Sequence, residues 1–91
     1  MNVRYYIDAA TDEPHIHSHG VTDVEVEEVL ARPGEDRPGT DGARVAIGQS
    51  SAGRYLRVIY VAEAGGVFVI TAYDLKGKAL LAYRRRRRRK R

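Results

Sequence analysis

Apolar residues occur along the chain in short alternating or continuous runs, separated by stretches rich in glycine and proline. Residues 3–7 (VRYYI) are rich in β-forming side chains and predict a first strand. Three later segments have the same character: RVAIG, RYLRVIYVA and VFVITAY. The middle one is long and mostly apolar, which is typical of a central strand. Alternation in the last segment predicts one face of Phe68, Ile70 and Ala72 and an opposite face of Val69, Thr71 and Tyr73.

A helix is predicted from Thr22 onward. Thr22 and Glu25 have the spacing of a capping box, in which each residue satisfies a backbone N–H at the helix start. Apolar residues then recur at the spacing that places them on one side of a helix, against a sheet: Val26, Val29 and Leu30. The same pattern predicts Glu25 and Glu28 on the solvated side. The helix should end at the Arg-Pro-Gly sequence of residues 32–34, and EDRPGTDG after it predicts a loop.

The last part of the chain, from Lys78, has strong helix propensity and contains no helix breaker. A helix is the favoured interpretation, although a turn at Lys76 and Gly77 would make KALLAY a further strand. The order of elements predicts an α+β fold, in which a small, mostly antiparallel sheet carries a helix on one face. The expected organisation is one domain over residues 1–83, followed by a basic C-terminal helix or tail over residues 84–91.

Charge is distributed very unevenly along the sequence. The formal net charge of the 91 residues is +4, and residues 84–91 (RRRRRRKR) alone carry eight positive charges. Residues 1–83 contain eight basic and twelve acidic residues, which gives that part a net charge of −4. An acidic domain with a strongly basic end is therefore expected, and the basic end favours a polyanionic partner.

Composition excludes several classes of protein. The chain contains no cysteine, which rules out disulfides and thiolate metal sites. Its first residues lack the apolar core of a signal peptide, and no segment has the length and hydropathy of a membrane span. A cytoplasmic protein without a membrane partner is the resulting expectation.

Three histidines stand at alternate positions in HIHSH: His15, His17 and His19. In a strand, this spacing would place three imidazoles on one face, where they could bind nickel, copper or zinc. Pro14 and the helix start at Thr22 disfavour a regular strand here. A metal site is thus the weaker hypothesis, and a turn with His19 beside the helix start is the stronger one.

Several of these segments together resemble the small BrnT-type toxins, which are ribonucleases of the RelE/ParE superfamily. The resemblance rests on HGVTDVEVEEVL, RVAIG, GRYLRVIYV, VFVITAY and the late AY, which occur in the family's order. It implies metal-independent RNA cleavage with no cofactor, in which the 2′-hydroxyl attacks the adjacent phosphate. It also implies RNA as a partner, including mRNA on the ribosome, and an antitoxin protein.

The resemblance assigns candidate catalytic residues one by one. His19 matches the histidine at the helix start and would act in acid–base chemistry. Arg44 and Arg57 match basic positions on paired strands and would bind phosphate. Thr71 and Tyr73 on the last strand would orient the substrate, and Tyr83 matches the late tyrosine of the family. Two departures, Ser18 and Tyr73, stand where the family tends to carry cations.

The sequence is also compatible with functions other than RNA cleavage. The two missing cations favour a non-catalytic module that binds nucleic acid or protein, and a metal-binding module on the three histidines is a third possibility. Arg57 lies within an apolar strand and must form an ion pair or face a cleft. The basic end would bind nucleic acid, pair with the domain's own acids, or dock an acidic protein. We expect nucleic-acid binding by Arg84, Arg85, Arg86, Arg87, Arg88, Arg89, Lys90 and Arg91.

Overall fold

The structure is a computed structural model that describes residues 2–89. It contains seven strands, one short 3-10 helix and two α-helices within those residues. The strands are β1 (Asn2–Tyr5), β2 (Ile7–Asp8), β3 (Glu13–Pro14), β4 (Glu35–Pro38), β5 (Arg44–Gln49), β6 (Tyr55–Glu63) and β7 (Gly66–Asp74). The helices are the 3-10 helix (His15–His19), α1 (Asp23–Ala31) and α2 (Gly77–Arg89).

Five of the strands form one sheet, in the order β1-β7-β6-β5-β4. All pairs in it are antiparallel except β1 with β7, which run parallel. Strands β2 and β3 form a separate two-stranded hairpin. This arrangement confirms the α+β fold. The predicted loop at residues 35–42 was wrong in part, because its first four residues form edge strand β4, held by the ladder to β5.

One face of the sheet packs against α1. Val26 and Val29 of α1 are fully buried against Leu56 and Val58 of β6, as the helical spacing predicts. The capping box is confirmed: the Thr22 hydroxyl accepts from the Glu25 N–H at 3.2 Å, and the Thr22 N–H donates to Glu25 Oε1 at 3.0 Å. This sheet surface is called the α1 face.

The prediction that Glu25 and Glu28 face solvent was wrong. Glu25 forms an ion pair with Arg54 and leaves only 15% of its side chain exposed. Glu28 accepts hydrogen bonds from the backbone N–H and the hydroxyl of Ser51, at 3.1 and 2.6 Å. Both carboxylates therefore tie α1 to the turn between β5 and β6.

The opposite surface of the sheet, called the α2 face, is only partly covered. Tyr83 of α2 and Leu75 lie in a second small core with Val45 and Ile47 of β5. The helical interpretation of the chain end is confirmed, and the helix includes six of the eight tail residues. Lys90 and Arg91, for which nucleic-acid binding was predicted, lie outside the described residues.

Strand β7 contains a β-bulge that changes which side chains share a face. Ile59 of β6 pairs with Thr71, but the next residue, Tyr60, pairs with Val69, so Ile70 has no opposite residue. The predicted alternation is therefore wrong beyond the bulge. Ala72 packs with Val69 in the α1-face core, whereas Thr71 lies opposite Ile59 on the α2 face.

Neither α1 nor α2 could cross a membrane, because no helix between residues 2 and 89 combines the necessary length with enough apolar character.

Gly34 is required by its contact with Tyr83. A Cβ atom at this position would overlap the Tyr83 hydroxyl oxygen and lie 2.9 Å from its Cζ atom. We expect Gly34→Ala to lower the free energy of unfolding by about 2 kcal/mol, because the methyl group forces α2 away from the sheet. Combining it with Tyr83→Phe, which removes the overlapping oxygen, should restore part of that loss. Urea denaturation of the two single variants and the double variant measures the coupling, and additive losses would contradict the contact.

Candidate functional site

The 3-10 helix brings the three histidines to the edge of the sheet. Ile16, fully buried in the α1-face core, anchors the helix. Gly20 ends it in the left-handed conformation (φ 70°), and its N–H donates to the His17 carbonyl at 3.0 Å. The segment packs against β7, so its side chains lie beside that strand.

His17 points away from the other two histidines. Its Nδ1 lies 3.2 Å from Glu13 Oε1, and its Nε2 lies 3.0 Å from Asp23 Oδ1. Hydrogen bonds to Asp23 and then Glu13 raise the pKa of the His17 imidazole above its usual 6.5. Between residues 2 and 89, no group of three or more histidine, aspartate or glutamate side chains is placed to hold a metal ion. The structure thus does not bring His15, His17 and His19 together as ligands.

His15 has a carboxylate partner. Its Nδ1 lies 2.9 and 3.1 Å from the two oxygens of Asp8. The β2–β3 hairpin causes this approach, since it pairs Asp8 with Glu13 and places His15 directly after it. A carboxylate only accepts hydrogen bonds, so a neutral His15 donates through Nδ1 and keeps the Nε2 lone pair free. The sequence indicates no role for His15 beyond the weaker metal-site hypothesis, because the partner Asp8 is brought to it only by the hairpin.

Four aromatic rings follow one another along this edge. The ring centroids of Tyr6 and His15 are 6.2 Å apart, those of His15 and His19 are 5.1 Å apart, and those of His19 and Tyr73 are 6.0 Å apart. All three contacts are edge-to-face. His19 is exposed and Tyr73 is half-buried. Two imidazoles and a phenol are therefore adjacent at the surface.

Arg57 lies on the same face of the sheet as Tyr73, the last ring of this row. It is directly opposite Tyr73 in the β6–β7 ladder, which places their Cβ atoms about 5 Å apart. The Arg57 Nε is buried and has no hydrogen-bond partner among residues 2–89, and the same holds for Thr71 Oγ1. A guanidinium with an unpaired Nε, next to Tyr73 and through Tyr73 to His19, is suited to a bound anion. Asp8, His15, His19, Arg57 and Tyr73 are called the sheet-face cluster.

Two of the candidates from the resemblance lie elsewhere. Arg44 is near the β4 edge, where its Nε donates to Asp36 Oδ1 at 3.0 Å and Asp36 in turn accepts from the Tyr60 hydroxyl at 2.6 Å. Tyr60 belongs to the α1-face core, so Arg44 is on the opposite side of the sheet from Arg57. Tyr83 is buried beneath α2, where desolvation raises the pKa of its phenol.

The tail arginines differ in their contacts because α2 continues through them. Arg86 forms a bidentate ion pair with Glu35, with N–O distances of 2.6 and 2.9 Å. Arg87 donates to the Gly34 carbonyl at 2.9 Å. Arg84 lies over the Tyr55 ring, with its Cζ 5.6 Å from the centroid. The basic C-terminal segment thus pairs with an acid of the domain through Arg86. Its other described arginines, Arg85, Arg88 and Arg89, are exposed.

Arg54 connects the segments that carry the candidate site. The sequence does not distinguish it from an ordinary surface residue. Its guanidinium donates to Asp74 Oδ1 at 2.6 Å, to Glu25 Oε1 at 3.0 Å and to the Gly20 carbonyl at 2.7 Å. A longer bond of 3.4 Å reaches the His19 carbonyl. One side chain thus joins the 3-10 helix, α1 and the end of β7.

No protein-family model, curated protein or solved structure matches the chain in comparisons with known proteins.

We expect His17 to titrate above 6.5 because its protonated ring is stabilised by two carboxylates. This raised pKa stabilises the fold fully below 6.5, and the contribution is lost as the pH rises through the folded-state pKa. An NMR titration of the histidine Cε1–H resonances measures it. Asp23→Asn should shift the His17 midpoint downward, and an unchanged midpoint in that variant would contradict the assigned partner.

Arg54→Ala should lower the free energy of unfolding by about 2 kcal/mol, because it leaves two partly buried carboxylates without their partner. Arg54 lowers the pKa of Asp74 through a hydrogen bond, and the Thr22 N–H and then Arg54 lower that of Glu25. Their stabilisation is therefore complete above the ordinary values of 3.8 and 4.5 and is lost as the pH falls through the lower folded-state values. Thermal denaturation against pH measures both effects.

Arg37→Ala is the matched control for that experiment. Arg37 is exposed and forms one ion pair with Glu35, so its loss should leave the denaturation midpoint nearly unchanged. Equal losses in the two variants would show that Arg54 contributes only general charge.

Proposed function

We propose that the protein is a RelE/BrnT-like endoribonuclease that cleaves RNA without a metal ion, with the sheet-face cluster as its active site. The observation that carries the proposal is the pair of touching imidazoles, one oriented by Asp8, which Tyr73 links to Arg57 and its unpaired Nε. Cleavage by the 2′-hydroxyl needs a proton acceptor, a proton donor and a cation for the phosphate, and these three groups supply them.

His15 is the general base in this proposal. With Nδ1 held by Asp8, its Nε2 accepts the proton of the 2′-hydroxyl as that oxygen bonds to phosphorus. Asp8 fixes the tautomer and stabilises the imidazolium that forms. The fold supplies this pair by joining β2 and β3 in a hairpin immediately before the 3-10 helix.

His19, in its protonated form, is the general acid. It gives its proton to the 5′-oxygen as the P–O5′ bond breaks, so that the products are a 2′,3′-cyclic phosphate and a free 5′-hydroxyl. The guanidinium of Arg57 binds the non-bridging oxygens, on which negative charge grows in the transition state. The Tyr73 hydroxyl orients the same phosphate from the neighbouring strand.

The biological setting of the proposal follows the family resemblance. It places the reaction in the cytoplasm as a toxin activity on RNA, including mRNA on the ribosome, under the control of an antitoxin protein. The exposure of His19 supports the proposal, because a polymeric substrate can reach its ring. Arg44 and Tyr83 have no part in the proposed chemistry.

Cleavage of a labelled single-stranded RNA in the presence of EDTA tests the proposal. Wild-type protein should yield fragments that end in 2′,3′-cyclic phosphate. A substrate with 2′-deoxyribose at every position should not be cut. His15→Ala should lower the rate by about 10²–10⁴-fold, the usual contribution of a general base. Arg57→Ala should lower it by about 10²-fold, because the phosphate loses its cation.

Arg4→Ala is the matched control. Arg4 lies on the α2 face of β1 and pairs with Glu63, so removing it deletes one cation from the same face without touching the cluster. Circular dichroism confirms that each variant is folded. Absence of cleavage by the wild type would refute the nuclease proposal and favour a non-catalytic binding module. A loss in Arg44→Ala as large as that in Arg57→Ala would refute the placement of the site.

A further inference from the structure

A groove of about 780 Å³ lies away from the sheet-face cluster, between the C-terminal end of α1, the β5–β6 turn and α2. Four arginines line it, and they come from two elements: Arg32 at the end of α1, and Arg84, Arg87 and Arg88 of α2. The rings of Tyr55 and Tyr83 form part of its wall. It is called the inter-helix groove.

The helical conformation of the tail selects which cations reach this groove. Arg84, Arg87 and Arg88 have the i, i+3, i+4 spacing and therefore lie on one side of α2. Arg86 points to Glu35 instead, and Arg85 and Arg89 are exposed and do not line the groove. The helix thus divides the six described arginines of the tail into three that line the groove, one that pairs with Glu35 and two that face solvent.

Positive charge in the groove is only partly neutralised by the protein. Arg32, Arg84 and Arg88 form no ion pair with any residue between 2 and 89, and Arg87 is bonded only to the Gly34 carbonyl. Glu28 is the acid in the lining, and both of its oxygens are engaged by Ser51. Four guanidinium groups against one carboxylate give the lining a net positive charge, which favours a ligand with several negative charges.

The aromatic wall indicates what kind of polyanion fits. Tyr55 is half-buried, contacts Tyr83 edge-to-face at 6.1 Å and lies beneath Arg84. Tyrosine rings and guanidinium planes are the surfaces on which unpaired bases stack, whereas an acidic peptide has no flat group to use them. Guanidinium groups at helical spacing also suit successive phosphates of one strand.

We propose that the inter-helix groove binds single-stranded nucleic acid, with phosphates on Arg32, Arg84, Arg87 and Arg88 and a base stacked at Tyr55 and Arg84. This binding does not depend on cleavage at the sheet-face cluster. The two sites are nonetheless connected: Tyr55 and Arg57 lie on the same face of β6, about 6.6 Å apart along the strand. A single-stranded nucleic acid that leaves the groove past Tyr55 therefore reaches Arg57 next.

A matched pair of double variants separates this groove from a diffuse basic helix. Arg84→Ala with Arg88→Ala removes two groove cations, and Arg85→Ala with Arg89→Ala removes the same charge from the solvent side. Both are made in the His15→Ala protein, so that cleavage does not affect the measurement and failure of the nuclease proposal leaves this test intact. Fluorescence anisotropy with labelled oligouridylate, oligothymidylate, an RNA duplex and polyglutamate measures affinity across a salt series.

The groove double variant should bind oligouridylate at least about tenfold more weakly, with a salt slope smaller by about 1.4, since each lost phosphate contact removes about 0.7. The solvent-side double variant should retain wild-type affinity and slope. Tyr55→Leu should weaken single-strand binding and leave the salt slope unchanged.

Comparable binding of oligothymidylate would show that phosphates and bases suffice, and binding of oligouridylate alone would show that the groove reads the 2′-hydroxyl. Equal losses in both double variants, preference for the duplex, or binding of polyglutamate but not of oligouridylate would overturn the proposal.

Discussion

The Arg54 guanidinium holds together the parts of the chain that form the candidate site. It joins Glu25 at the start of α1, Asp74 at the end of β7 and the carbonyl of Gly20 after the 3-10 helix. Arginine suits this role because its planar fork donates in several directions from one fixed plane. Without these bonds, the C-terminal end of the 3-10 helix would lose its link to α1 and to the end of β7.

The bulge in β7 is a second constraint on the same region. By leaving Ile70 unpaired, it turns Thr71 and Tyr73 toward the α2 face while Ala72 fills the α1-face core. Tyr73 consequently lies opposite Arg57 and beside His19. Arg57 lies between Tyr55 and Ile59 on β6 and opposite Ile47, all of which belong to the smaller core under α2. Arg57, Tyr73 and His19 are therefore adjacent beside the core under α2.

Local patterns predicted much of the fold and less of the site. The capping box at Thr22, the apolar stripe of α1 and the three long strands depend on neighbouring residues, and the structure confirms them. Strand β4 was missed because EDRP has no apolar alternation and is held only by its ladder to β5. His19, Arg57 and Tyr73 were candidates that the fold does bring together, whereas the bond from His15 to Asp8 depends on the hairpin before it.

The sequence by itself determined the α+β plan, the capped helix and the opposition between an acidic domain and a basic end, because each depends on spacing or composition. It singled out His19 by its place before the capped helix but gave His15 no partner, and it did not distinguish among the arginines of the C-terminal run, since identical residues carry identical local signals. The tertiary structure decided that His15 contacts Asp8, that Arg86 contacts Glu35, and that Arg84, Arg87 and Arg88 line a groove. Those roles are set by partners distant in the chain, which only the folded arrangement of strands and helices brings within bonding distance.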